Sequence, residues 1–256
     1  MRFVTDSTWN RTGDSGQVLL AGSPLRVFRL SPAGAAMCAA IESGDAVAPS
    51  TLVDRLLDAG AIHPLPQAAT TFTHADVTVV TPQLGGTVRG DRTVTVDDGS
   101  TPPIAGASLR LDTNRGPAAA RNAGRAVVST TLVAFVDADV TLPDDRNWLD
   151  ALIAHFDDDR VGLVAPRVVG DPTASLDLGD EPARIRAGSR VSYVPAAALL
   201  VRAEAFDDVG GFDEGLRLGE DVDFVWRLDQ AGWRCRYVPD VTVHHAPRSS
   251  WPVSYT

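Results

Sequence analysis

From Val77 onward, short apolar runs alternate with longer stretches of helical periodicity. Val77–Thr81, Thr93–Val96, Ser108–Leu111, Leu132–Val136 and Gly162–Pro166 read as strands, several of them apolar throughout, as burial on both faces requires. Trp148–Phe156 and Asp221–Ala231 carry apolar residues three and four apart, which predicts amphipathic helices. This order predicts an α/β unit, a mostly parallel sheet flanked by helices. The first 66 residues follow another pattern. Gln17–Leu20 is a short strand-like run, Ala21-Gly22-Ser23-Pro24 a turn, and Leu25–Leu30 mixes apolar and basic positions as a half-buried strand does. Ser31-Pro32 gives a cap and a proline at the first helical position for a helix over Ala33–Ile41. Thr51–Gly60 predicts a second helix, with Gly60 placed to stop it. The expected organisation is a small winged-helix-like domain at 1–66, a linker at 67–75 overlapping the Pro-, Ala- and Thr-rich stretch Pro64–Thr73, and the α/β domain at 76–256.

Composition narrows the function. A chain of 256 residues, 44% hydrophobic and 22% charged, has an ordinary globular make-up. Its formal charge of −10 argues against a nucleic-acid partner, which needs a basic face, yet does not exclude a nucleotide, whose diphosphate a metal can neutralise locally. Cys38 and Cys235 are too few and too far apart for a disulfide framework or a zinc site, which points to a reducing, cytoplasmic setting. Met1–Asp6 lacks the apolar core of a signal peptide, and no transmembrane segment is expected. Peripheral association with a membrane stays open.

Four clusters carry candidate chemistry. Asp137-Ala138-Asp139 ends the apolar run Thr131–Val136. Along a strand, residues two apart project to one side, so both carboxylates can face one Mg2+ or Mn2+. Taken alone, Asp-x-Asp equally suits a solvated turn. Asp97-Asp98-Gly99-Ser100 is a strand running into an acidic turn. In Asn114–Gly124, Gly116-Pro117 starts a helix, alanines permit close packing on a sheet, and Arg115 and Arg121 suit an anion near the helix start. Gly219-Glu220-Asp221-Val222-Asp223 opens a helix with three carboxylates in its first turn. Asp221 shares a face with Phe224, Val225 and Leu228, so partial desolvation would raise its basicity, as a general base requires. Glu220 and Asp223 are expected to point elsewhere. His244-His245 ends the run Tyr237–Val243; either could complete a metal shell or be an ordinary surface histidine, and His244 is the expected ligand.

The order Asp97-Asp98-Gly-Ser, Arg115-Gly-Pro-Ala-Ala-Ala-Arg-Asn122, Asp137-Ala-Asp139, Gly219-Glu-Asp221 resembles the family 2 glycosyltransferases of GT-A fold, over roughly Val77 to His245. Phrases such as Leu163-Val-Ala-Pro-Arg167, Ser175-Leu-Asp-Leu-Gly179 and Val209-Gly-Gly-Phe-Asp213 resemble the branch belonging to the mycofactocin system. The resemblance implies a UDP-sugar donor, an inverting transfer of glucose, and a peptide-derived redox cofactor as acceptor. It implies that Asp97 and Asp98 contact uracil or ribose, that Pro82, Arg115, Gly116 and Arg121 line the nucleotide pocket, and that Asp139 and Asp137 hold the metal-diphosphate with His244. Asp221 would deprotonate the acceptor hydroxyl and Glu220 would contact the acceptor. The first 66 residues also resemble PqqD-like domains, which implies a precursor peptide or pathway protein as partner.

Three departures from the family pattern stand out. Gln83–Arg92 is shorter than a helical crossover between parallel strands needs, so the first helix is expected to be lost and the pairing of those strands is uncertain. Gly170–Ser175 is abbreviated, and the apolar C-terminal segments of the mycofactocin branch have no counterpart before Thr256. A degenerate member that binds nucleotide or peptide without turnover is therefore the alternative. A nucleotidyltransferase is a weaker one, since Gly85-Gly86 makes a poor phosphate loop.

Overall fold

The computed structural model describes residues 1–13, 16–66, 70–88, 93–143, 147–170 and 177–246. Residues 67–69 of the expected linker, 89–92 of the short connection and 171–176 lie outside them.

The first part contains β1 (Arg2–Thr5), β2 (Asn10–Thr12), β3 (Val18–Ala21), β4 (Arg26–Arg29), α1 (Pro32–Glu42), α2 (Thr51–Asp58) and β5 (Ile62–Leu65). β2, β3 and β4 form an antiparallel meander, while β1 pairs with β5 across the whole length of this part. Phe28 and Leu30 turn inward from the mixed stretch Leu25–Leu30, joining Leu19, Cys38, Val53, Leu56 and Ile62 in a core built entirely from this part. Both helices start as their sequences dictate: Ser31 accepts from the Gly34 N–H, with Pro32 next in line, and Ser50 accepts from the Val53 N–H.

The second part contains β6 (Val77–Gln83), β7 (Thr93–Asp98), β8 (Leu109–Leu111), α3 (Pro117–Ala126), β9 (Leu132–Val136), β10 (Val140–Thr141), α4 (Asn147–Ile153), β11 (Val161–Val169), β12 (Ala183–Ile185), β13 (Ala198–Arg202), α5 (Ala203–Asp208), α6 (Glu220–Gln230) and β14 (Arg234–His245). One mixed sheet runs β10-β14-β11-β13-β9-β6-β7-β8, with β12 on β14. Its longest pairing, β11 with β14, is parallel, as is the β9-β6-β7-β8 half. β13 is antiparallel to both β9 and β11. All five residues of β9 are buried, because it has strands on both edges and helices over both faces. On one face α3, α5 and α6 cover Phe135, Phe206, Phe212 and Phe224, whose rings lie 4.4–5.7 Å apart. On the other, α4 and the turn after it bring in Leu152, Ile153 and Phe156.

β6 and β7 are parallel neighbours, so the doubtful pairing resolves in the family's favour. Residues 84–88 contain no helix. Residues 84–92 can span roughly 30 Å when extended, enough to return along a strand of this length without one. Pro82 lies in β6 beyond Val80, where the pairing with β9 ends and only β7 continues alongside. Among the described residues, no helix is long and apolar enough to cross a membrane.

The two parts meet through charge. Arg234, 3% exposed at the start of β14, donates Nη2 to Asp54, Nε to Asp58 and Nη1 to Asp158, each at 2.9 Å. Nearby, His155 is 7% exposed, and burial together with the Arg236 charge lowers its pKa to about 3. An unfolded histidine takes up its proton near 6.5, so between about pH 6.5 and 3 the unfolded chain holds more protons and stability falls with falling pH. We expect urea midpoints to drop between pH 7 and pH 5, and a His155→Phe variant to show a smaller drop.

Candidate active site

The carboxylates gather where β9 ends. Asp137 to Asp139 form a turn between β9 and β10, closed by the Val140 N–H donating to the Asp137 carbonyl at 3.1 Å. It is therefore the turn, rather than strand alternation, that brings Asp137 and Asp139 to one side. β10 pairs with the end of β14, placing Val140 opposite His245 and Thr141 opposite His244. One donor atom each from Asp137, Asp139 and His245 lie within 4.8 Å of one another. His245 Nε2 is 3.4 Å from Asp139 Oδ1, and its buried Nδ1 has no hydrogen-bond partner among the described residues.

This corrects the expected histidine. His244 is exposed, and adjacent residues on a strand face opposite ways, so only His245 reaches the aspartates. The parity was present in the sequence: Val241 and Val243 face the core, and two residues further the same face holds His245. Two carboxylates and an imidazole gathered at this spacing are the oxygen and nitrogen donors that would hold Mn2+ or Mg2+. We expect His245→Ala to weaken Mn2+ binding by about ten-fold or more, and His244→Ala to leave it unchanged, when measured by calorimetric titration.

Arg121 organises the rest. It lies on α3 and is only 2% exposed, seated over the Phe212 ring at 5.3 Å. Its Nη2 donates to Asp137 Oδ1 at 2.6 Å and to the Ala196 carbonyl at 3.3 Å, while Nη1 donates to Glu220 Oε1 at 3.2 Å. Burial works against its charge, but Asp137 and Glu220 outweigh that and hold the guanidinium firmly protonated. Arg121 is thus enclosed among carboxylates rather than exposed beside the start of α3. Glu220 likewise turns toward this site instead of away from it; Asp223 pairs with Arg227 on its own helix.

Asp221 follows Glu220 at the start of α6, after Gly219 in a left-handed conformation. Burial raises its pKa, and the adjacent Glu220 adds to that, against the Val222 N–H, the Arg121 charge and the Ala196 N–H. Phe224, Val225 and Leu228, on the same helical face, are wholly buried. Asp221 and the Asp137–Asp139–His245 group therefore meet through one guanidinium and the backbone at Ala196-Ala197, whose Ala197 carbonyl accepts from the Asp137 N–H.

Asp97 and Asp98 take different roles. Asp97 is fully buried and accepts from the Ser100 and Ile104 N–H groups and from Arg110. Burial would raise its pKa, but these donors hold it well below the carboxylate range. It fixes the turn after β7 and is enclosed by its own loop and Arg110. Asp98 accepts from the Arg115 N–H at 2.8 Å and the Gly116 N–H at 2.9 Å, one on each oxygen. It thereby fastens the start of α3 to the end of β7. Gly116 has φ +91°, which an L side chain rarely adopts. Arg115 reaches out to Glu214. Ala118, Ala119 and Ala120 are buried against the sheet, and at Gly124 a Cβ would stand 2.3 Å from Val80 Cγ1, so helix and strand approach as closely as the small residues suggest.

The profile described as "Glycosyl transferase family 2" matches residues 87–179, spanning Asp97 to Asp139. Pre-mycofactocin glycosyltransferase of Mycobacterium tuberculosis, in strains CDC 1551 and H37Rv, is 42% identical over 91% of this chain and 56% of its own length. The chain belongs to glycosyl transferase family 2. This family 2 member spans about half the length of those curated relatives. An N-acetylglucosaminyl-diphospho-decaprenol L-rhamnosyltransferase of M. tuberculosis is 47% identical over 62 residues, 23% of this chain and 20% of that protein. Among solved structures, S. aureus TarS 1-349 in complex with UDP-GlcNAc superposes with a TM-score of 0.55 at 19% identity, covering 70% of this chain and 61% of TarS. The mannosyltransferase PcManGT of Pyrobaculum calidifontis, in complex with GDP-Man and Mn2+, superposes at 0.53 and 20% identity over 75% of this chain and 61% of its own. The family 2 chain thus has a GT-A-like fold. Its profile match ends before Asp221 and His245, which only the tertiary structure joins to Asp137 and Asp139.

Proposed function

We propose that this chain is a metal-dependent, inverting glycosyltransferase that moves a hexose, glucose in our reading, from a UDP-sugar to a hydroxyl of a peptide-derived small molecule of the pre-mycofactocin kind. One observation carries the reading: Arg121 ties the Asp137–Asp139–His245 group to Glu220 and Asp221. A site for a diphosphate's counter-ion and a basic carboxylate therefore share one neighbourhood. The name of the M. tuberculosis relatives supports the acceptor, and the Mn2+ and nucleotide-sugars of the structural neighbours support the donor class.

Asp139, Asp137 and His245 are the residues that would hold Mn2+ or Mg2+. When bound, such a cation stabilises the charge of a departing diphosphate. Asp221 accepts the proton of the acceptor hydroxyl as that oxygen attacks the anomeric carbon in line with the leaving group, which inverts the centre. Arg121 holds Asp137 and Glu220 in place through its two Nη groups, so both carboxylates keep fixed positions beside Asp221. Glu220 borders the acceptor side. Asp98 shapes the nucleotide side by holding Arg115 and Gly116, with Pro82 at the end of the neighbouring strand.

Residues 1–66 we read as a winged-helix-like domain that engages a precursor peptide or a pathway protein along β4, an edge of the three-stranded sheet, where Val27 is 65% exposed between arginines. A second reading, a binder without turnover, is favoured by Asp98, whose two oxygens are both engaged by main-chain N–H groups. The deciding experiment incubates purified protein with UDP-glucose and Mn2+ across hydroxylated peptide-derived acceptors and measures UDP release. Turnover that disappears in Asp139→Asn, together with weaker UDP binding, supports transfer; UDP binding without turnover supports the second reading; no UDP binding refutes both.

A further inference from the structure

Away from the carboxylates, a cavity of about 260 Å³ lies where β5 and α2 of the first part meet β12 and β14 of the second. Ile62 and Pro64 form one wall and Ala183 and Val238 the other. Against this apolar space stands a cationic floor of Arg184, Arg234 and Arg236, with Asp240 as the one carboxylate among the lining residues. Arg184 and Arg236 occupy directly paired positions of β12 and β14, an arrangement that like charges disfavour, and both are buried, at 9% and 7% exposure.

Their countercharges are shared. Arg184 pairs with Asp229, which also faces Arg186; Arg236 pairs with Asp158, which also serves Arg234. Two buried polar atoms at the cavity have no hydrogen-bond partner among the described residues: Arg184 Nε and His155 Nδ1. Burial and the neighbouring Arg234 and Arg184 bring the Arg236 pKa down to about 10, the mark of a cation short of negative company. Buried orphan donors beside an apolar void are costly unless something fills it.

We infer that this cavity binds a small amphipathic carboxylate, its apolar body between Ile62, Pro64, Ala183 and Val238 and its carboxylate toward Arg184, Arg236 and His155. The volume falls just below the roughly 300–1,000 Å³ of drug-sized sites, which suits a single ring or a short acyl chain. The site is independent of the transfer chemistry, and it would join the two parts of the chain through its ligand.

Calorimetric titration of the full chain with 3-phenylpropanoate, and with the uncharged 3-phenylpropan-1-ol as matched control, tests this. We expect one saturable site for the carboxylate and binding of the alcohol at least about ten-fold weaker. Ala183→Leu and Ile62→Phe fill the cavity from opposite walls; whichever of them melts as the parent does should no longer bind. No saturable binding, equal binding of acid and alcohol, or undiminished binding in a well-folded filled variant would overturn the assignment.

Discussion

Asp221→Asn is expected to lower transfer by about 10²–10⁴-fold, the range a positioned general base contributes, while UDP affinity stays nearly constant. The asparagine keeps the shape of the side chain and its bond from the Val222 N–H but cannot take a proton. A pH profile separates this from a folding defect. Burial raises the Asp221 pKa, and a base works only when deprotonated, so kcat should fall on the acid side at a pH above the ordinary carboxylate range. That limb should be missing from whatever activity the variant retains. A variant with parental kcat, or with UDP affinity lost alongside turnover, would remove Asp221 from the role.

Arg121→Met is expected to cost about 3–5 kcal/mol of stability, because it strands Asp137 and Glu220 in the interior without their cation. Methionine fills comparable space over Phe212, so the loss should come from charge more than from packing. The sign with pH follows. Burial already raises the Asp137 pKa and Arg121 works against that, so without Arg121 it rises further and the variant gains ground as pH falls and Asp137 protonates, opposite to the trend expected from His155. Urea denaturation at pH 7 and pH 5 should show the gap between variant and parent narrowing. Adding Asp137→Asn and Glu220→Gln should recover part of the loss at neutral pH; failure to recover any would mean that Arg121 acts through packing.

Much of the second part could be read from its residues, because buried strands leave continuous apolar runs and Leu132–Val136 is as apolar as strand β9 is enclosed. Motif order located Asp97, Asp98, Asp137, Asp139 and Asp221, although their partners were invisible. Arg121 and Glu220 are 99 residues apart, and no local pattern announces that they touch. The partners of Asp97 were hidden because a carboxylate in a turn has the same spelling whether it faces solvent or accepts from its own loop. His244 and His245 needed the register against β10 to separate them, even though the valines upstream held the clue. In the first part the local strands and helices were legible, whereas the pairing of Arg2–Thr5 with Ile62–Leu65 closes over nearly sixty residues and could not be.

The strand that ends in His245 begins at Arg234, whose guanidinium takes two of its three carboxylate partners from helix α2. Trimming away the leading 66 residues would leave that guanidinium, among the described residues, with Asp158 as its one carboxylate, shared with Arg236. An isolated transferase half would thus inherit an electrostatic debt at the root of the very strand that delivers its histidine.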